Sequence, residues 1–283
     1  MESVNAGTAS AIADEVERYL RTGESDPLCA AWPGDILERA HQAHRDLRSA
    51  LLDATRRLAA GRIHTAIQEG DTRQLTRSKV EPMVRGLFPR AEQDRVLAVL
   101  EKSVVFLTHT TIEGLLSGPG FDSLAWTLAN LYLNSLRVPL LGPDSPRLVG
   151  LSDETICYVS AEYFSEEDPF ADFIVHETAH VFHNCKRESL GLPSSRRKQW
   201  LLEIEYRKRE TFAYSCEAYA CILERGKTSE ARHALAEEYA QVVQISDERV
   251  DAGEVADIVR EAAGVRNGWN VIRTRCAPER RKS

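Results

Sequence analysis

From Ala11 to Leu136, apolar positions recur at the alternating three and four spacing of amphipathic helices. Ile12, Val16 and Tyr19 with Leu20 share one stripe, and the segment Ile36 to Ala60 repeats the pattern until Gly61 closes it. Pro82, Gly86 and Pro89 punctuate residues 81–89, which predicts a break there, followed by a helix over about 91–107. Gly118-Pro119-Gly120 predicts another break. After it, Phe121 to Leu136, with Trp126, Leu128, Leu131 and Leu133, reads as a strongly apolar helix. No internal repeat or low-complexity tract is visible.

The pattern changes at Val138. Pro139, Gly142, Pro143 and Pro146 mark a loop, and Leu148–Leu151 and Thr155–Ser160 read as two short strands joined at Ser152-Asp153-Glu154. Phe173 to Phe182 is apolar on nearly every side, as expected of a buried helix, with Asp168 and Pro169 as its entry. A linker over 188–195 leads into a long helical region from Arg196 to Arg225 that Gly226 closes. Ser229–Val243 and Asp251–Ala263 fit further helices, and a Gly/Asn-rich break and a basic tail follow. The expected fold is mainly α with a small β-hairpin or sheet, an α+β chain. Its expected parts are a helical N-terminal region over 1–110, a core over 111–226 and a C-terminal helical extension over 227–283.

Composition narrows the class. The 283 residues, 43% of them hydrophobic, suffice for a large core. A net charge of −7 gives no global attraction to nucleic acid or to an anionic membrane, so neither is an expected partner. The basic clusters Arg196-Arg197-Lys198, Arg207-Lys208-Arg209 and Arg280-Arg281-Lys282 read as solvated faces or tails. The start of the chain is polar and shows no secretory signal, and no stretch approaches the roughly 18 apolar residues of a membrane span. Six cysteines without a paired framework read as reduced thiols in a cytoplasmic protein, with Cys216 and Cys221 packed on one helix.

The chemistry concentrates at His176-Glu177-Thr178-Ala179-His180. Two imidazoles four residues apart on a helix point the same way, about 6 Å apart along its axis, which lets them grip one metal ion. Glu177 beside the first is placed to take a proton from a metal-bound water and to hand it to a leaving amine. A catalytic zinc usually takes three protein ligands. The extended third-histidine pattern would need Gly at 183 and His at 186, where the chain has His183 and Lys186. His183 lies about 10 Å along the axis from His176, too far for all three histidines to share a tetrahedral ion. A carboxylate from the next helical segment remains: Glu210 or Glu217, seven apart on one face, with Glu203 seven further upstream and the small Ala213 allowing close helix approach. Tyr206, Tyr214 and His183 are the available oxyanion donors.

His176-Glu177-x-x-His180, followed thirty residues later by Glu210-x-Phe212-Ala213, resembles the gluzincin class of zinc metallopeptidases, including the lethal-factor-like peptidase domain. The resemblance runs from the hairpin near Leu148 to Arg225. It implies a zincin-like catalytic domain with His176, His180 and Glu210 as Zn²⁺ ligands and Glu177 as general base. Tyr214 stands where that class commonly has an acid four residues after the ligand Glu. The implied function is hydrolysis of a peptide bond in a peptide or protein substrate by a Glu-activated, zinc-bound water. The alternatives are a regulatory or peptide-maturation protein dedicated to one partner, and a helical interaction protein with a closed, non-catalytic zinc or none. An edge strand of the hairpin could receive the substrate as an added strand.

Overall fold

The computed structural model describes residues 2–62, 72–120, 122–196 and 198–279, with side chains from Gly7 onward. Phe121, Arg197 and the tail cluster Arg280-Arg281-Lys282 lie outside the described residues. Among those described are eleven α-helices and one three-stranded sheet, which is the expected mainly α, α+β architecture. No helix among them is long and apolar enough to cross a membrane. The chain falls into two compact units, and each is built from segments distant in sequence.

The first unit comprises Met1–Ile67, Phe106–Val149 and Ser160–Glu162. It holds α1 (Glu2–Thr22), α2 (Ile36–Ala59), α5 (Ile112–Ser117) and α6 (Asp122–Ser135). At the start of α2, Asp35 accepts hydrogen bonds from Leu37 N and Glu38 N while Glu38 bonds back to Asp35 N, so the orphan amides of the first turn are met reciprocally. Arg48, 7% exposed, reaches from α2 to Asp122 Oδ1 at 2.8 Å and to the carbonyls of Leu116 and Gly120, each at 2.9 Å. That buried guanidinium fixes the loop between α5 and α6.

The second unit comprises Gln68–Val105, Gly150–Val159 and Tyr163–Ser283. In it, α3 (Thr72–Leu87) packs on α4 (Arg90–Leu100), α7 (Phe173–Asn184), α8 (Arg209–Arg225) and α11 (Gly268–Cys276), while α10 (Ala252–Ala263) packs on α8, α9 (Ser229–Val242) and α11. One buried cluster joins Ala218 and Ile222 of α8 to Tyr239 of α9 and Val255 and Val259 of α10. The break predicted over residues 81–89 narrows to Phe88 and Pro89, because α3 runs through Pro82 and Gly86 to Leu87 before α4 begins. A proline inside a helix costs about 3 kcal/mol. Burial of Val80, Met83, Val84 and Leu87 outweighs it at roughly 1.5–3 kcal/mol per side chain. Gly86 serves packing, since a Cβ there would lie 2.7 Å from Trp269 Cβ of α11.

The predicted helix over 91–107 ends at Leu100, and Val104–Leu107 forms a strand, β1. β-Branched Val104 and Val105 favour the extended form once a partner is present. That partner is β3 (Ile156–Ser160), which also pairs antiparallel with β2 (Gly150–Asp153), so the order is β1-β3-β2 and β2 is an edge. Asp153 pairs with Ile156, so the hairpin turn is Glu154-Thr155, one to two residues later than expected. The entry to α7 is Asp172, which caps Val175 N, and not Asp168 and Pro169.

The helical region expected from Arg196 begins only at Arg209. Upstream, Leu201 N donates to Cys185 O and Leu202 N to Phe182 O, so this segment satisfies carbonyls that the end of α7 leaves open. Glu203 is therefore not on the α8 face; its carboxylate accepts from Gln199 N and Trp200 N. The Gly/Asn-rich stretch does break the chain after α10, at residues 264–267, but its Asn267 then caps a further helix, α11, where a basic tail was expected. All six cysteines are free, and Cys216 and Cys221 lie buried on α8.

Candidate metal centre

α7 and α8 pack side by side, with Ala213 fully buried one turn after Glu210. This brings His176, His180 and Glu210 together, one ligand atom from each lying within 4.8 Å of the others. Glu210 Oε2 is 3.7 Å from His176 Nε2 and 3.4 Å from His180 Nε2. Ligands about 2.0–2.1 Å from a tetrahedral ion stand about 3.3–3.4 Å apart, so the two separations from Glu210 are close to those of a shared metal ion.

Which ring nitrogen faces the centre is settled by what holds the other. His176 Nδ1 donates to Glu217 Oε2 at 2.9 Å, and Glu217 Oε1 accepts from Asp172 N at 2.8 Å. His180 Nδ1 lies 3.1 Å from His183 Nε2, and His183 Nδ1 lies 3.2 Å from Asn184 Oδ1. With His180 Nδ1 donating to His183 and His183 Nδ1 to Asn184, it is the Nε2 of each histidine that faces Glu210 and is left for a metal to displace a proton from. Glu217 is thus on the far side of His176 from Glu210. His183, 2% exposed, is the outer partner of His180.

The electrostatics agree with this arrangement. Burial, His180 and Arg209 push His183 down to about 3, which keeps it neutral and able to accept. Burial opposes charge on His176, but Glu217 and Glu210 outweigh it and raise the ring to about 10 in the metal-free chain. Burial also raises Glu210, yet hydrogen bonds from the two histidines carry it well below the usual carboxylate range. The carboxylates that favour a proton on His176 favour a cation in the same place.

Glu177 is 7% exposed and is not among the converging donors. Burial raises its carboxyl, opposed by the charges of His176 and His180. It lies against β2, where a Cβ at Gly150 would stand 2.6 Å from Glu177 Cγ. Tyr214 packs edge-on against His176, with ring centroids 4.6 Å apart, and burial followed by Glu217 and Glu210 lifts its phenol to about 12. Tyr206 is 76% exposed, with the Arg209 guanidinium 5.1 Å over its ring. His183 is occupied by His180, and of the two tyrosines Tyr214 is the one in contact with a histidine of the cluster.

Three contributors were not readable in advance: Gly150, and the pair Asp247 and Arg249, whose guanidinium lies 3.4 Å from Glu210 Oε1. No sequence signal marks them, because each belongs to a different element from the motif. Comparisons with protein-family models, curated proteins and solved structures find no match to this chain.

Proposed function

We propose that this chain is a zinc-dependent metallopeptidase. The observation that carries the reading is the convergence of His176 Nε2, His180 Nε2 and Glu210 Oε2 beside a buried, uncommitted Glu177. Two imidazoles and one carboxylate form the donor set of catalytic zinc sites, which keep a fourth position open. When bound, Zn²⁺ supplies a Lewis acid that polarises a carbonyl and brings the pKa of water toward about 7. Glu177 takes the proton from the attacking water and returns it to the departing amine, and burial tunes its carboxyl upward for that exchange. Glu217 and His183 hold the two rings in register.

The substrate on this reading is a peptide or protein. β2 is one edge of its sheet, and Gly150 on it lies against Glu177, so an extended chain added along β2 would run beside the base. The free thiols fit a reducing compartment, the cytoplasm.

Metal analysis and peptide hydrolysis on Glu177→Gln test the proposal. Zinc remains at wild-type stoichiometry and turnover disappears, whereas His176→Ala and His180→Ala lose the metal. A wild-type protein that takes up no zinc, or a Glu177→Gln variant that still hydrolyses, refutes it. Turnover of casein-type substrates separates a general peptidase from one dedicated to a single partner.

A further inference from the structure

Glu210 has two oxygens, and they face different partners. Oε2 points at the two imidazoles, at 3.7 and 3.4 Å, while Oε1 lies 3.4 Å from Arg249 Nη2. Arg249 stands on the turn between α9 and α10, and Asp247 sets its direction. Asp247 Oδ1 accepts from Arg249 Nε at 2.9 Å and from its backbone N at 2.9 Å, and Asp247 Oδ2 accepts from Nε at 3.1 Å and Nη2 at 2.5 Å. The Asp247 side chain is 18% exposed while Arg249 is 73% exposed, so the anchored end is the inner one.

We propose that Asp247 and Arg249 form a latch that makes Glu210 a one-oxygen metal ligand and thereby holds the site, with its water, to four ligands. This rests on the reading of His176, His180 and Glu210 as a metal site. A carboxylate free to turn can offer both oxygens to one ion, and a two-oxygen Glu210 with two histidines and a water would raise the count to five. That fifth place is the one a substrate carbonyl would take as the reaction proceeds. The planar guanidinium, charged at every working pH, holds Oε1 by a directed contact and opposes that turn. An exposed ion pair adds little to stability, so a contact of this kind can be removed without unfolding the chain. Arg249 is on this argument a positioning residue acting through Glu210.

Cobalt(II) substitution reads the effect directly, because its visible absorption weakens as coordination rises from four to five. Metal-free protein is reloaded with Co²⁺ and compared with Arg249→Ala and Asp247→Asn, with circular dichroism melts confirming the fold. The wild type gives the intense four-coordinate spectrum. Both variants retain Co²⁺ with a weaker, five-coordinate spectrum and an affinity within about tenfold of wild type. Wild-type spectra from both variants overturn the latch, as does complete loss of Co²⁺ binding, which would make Arg249 part of the site's framework. A wild type that takes up no Co²⁺ overturns the metal reading as well, so the two failures are distinct.

Discussion

Glu217 Oε2 accepts from His176 Nδ1 at 2.9 Å, and the same carboxylate takes the Asp172 amide at 2.8 Å through its other oxygen. One side chain of α8 thus fixes both the first turn of α7 and the orientation of a ring in the His176–His180–Glu210 cluster. Such an outer partner raises ligand basicity, and its loss typically weakens metal affinity by about 10–100-fold. Competition titration against a chromophoric chelator should therefore rank Glu217→Ala between wild type and Glu210→Ala, which removes a donor outright. Equal losses in the two variants would place Glu217 among the ligands themselves.

Gly150 predicts a separation of hydrolysis from metal binding. A side chain at this position meets the Glu177 carboxylate and not the three donors. Gly150→Val should cost roughly 1–3 kcal/mol from overpacking and displace Glu177. Zinc content should stay at wild-type stoichiometry while hydrolysis falls steeply. Unchanged turnover with a normal thermal melt would show that the contact has no bearing on Glu177.

Glu92 and Arg187 make acid stability testable. Arg187 is 1% exposed and donates to Pro193 O at 2.7 Å and to Glu92 Oε1 at 2.5 Å, pinning the segment after α7 to α4. Burial raises the Glu92 carboxyl, but the hydrogen bond and charge of Arg187 bring the net below its ordinary value of 4.5. A carboxyl lowered on folding contributes stability that is complete above the unfolded value and lost as pH falls through the folded one. Melting temperature should drop below about pH 4.5 in wild type, and less steeply in Glu92→Gln. At pH 7, Glu92→Ala should be destabilised by about 3 kcal/mol, because it leaves a buried guanidinium unpaired.

Arg48 tests whether a defect in one compact unit reaches the metal centre in the other. Removing it strips Asp122 and the Leu116 and Gly120 carbonyls of their shared donor. Arg48→Met should lower the unfolding free energy by about 3 kcal/mol. All three donor residues belong to the unit that excludes Arg48, so zinc stoichiometry below the melting range should be unaltered. Metal loss in the folded variant would contradict that.

Local chemistry was legible wherever one segment decides its own conformation. The amphipathic run and Gly61 delimit α2 to within a residue, the hairpin pattern locates β2 and β3, and the later periodic stretches mark α9 and α10. The four-residue spacing of His176 and His180 fixes their common face because the helical period alone sets it. Pro82, Val104 and Val105, Glu203 and Asn267 were misread because contacts from other segments decided them: Trp269 and the core around α3, the pairing of β1 with β3, the open carbonyls of α7, and the seat of α11.

The sequence alone determined a mainly α chain, the helix that bears the motif, and a pair of glutamates seven residues apart as candidates to complete its site. Only the tertiary structure decided their parts. Periodicity places Glu210 and Glu217 on one face, about 10 Å apart along the axis, but says nothing of how α8 lies across α7. The packing sets Glu210 against both Nε2 atoms and Glu217 against Nδ1 of His176, and it turns His183 from a stray neighbour into the partner of His180. A ring nitrogen becomes free for a metal when something else holds the other, and here the holder of His176 comes from a helix that begins 25 residues after α7 ends.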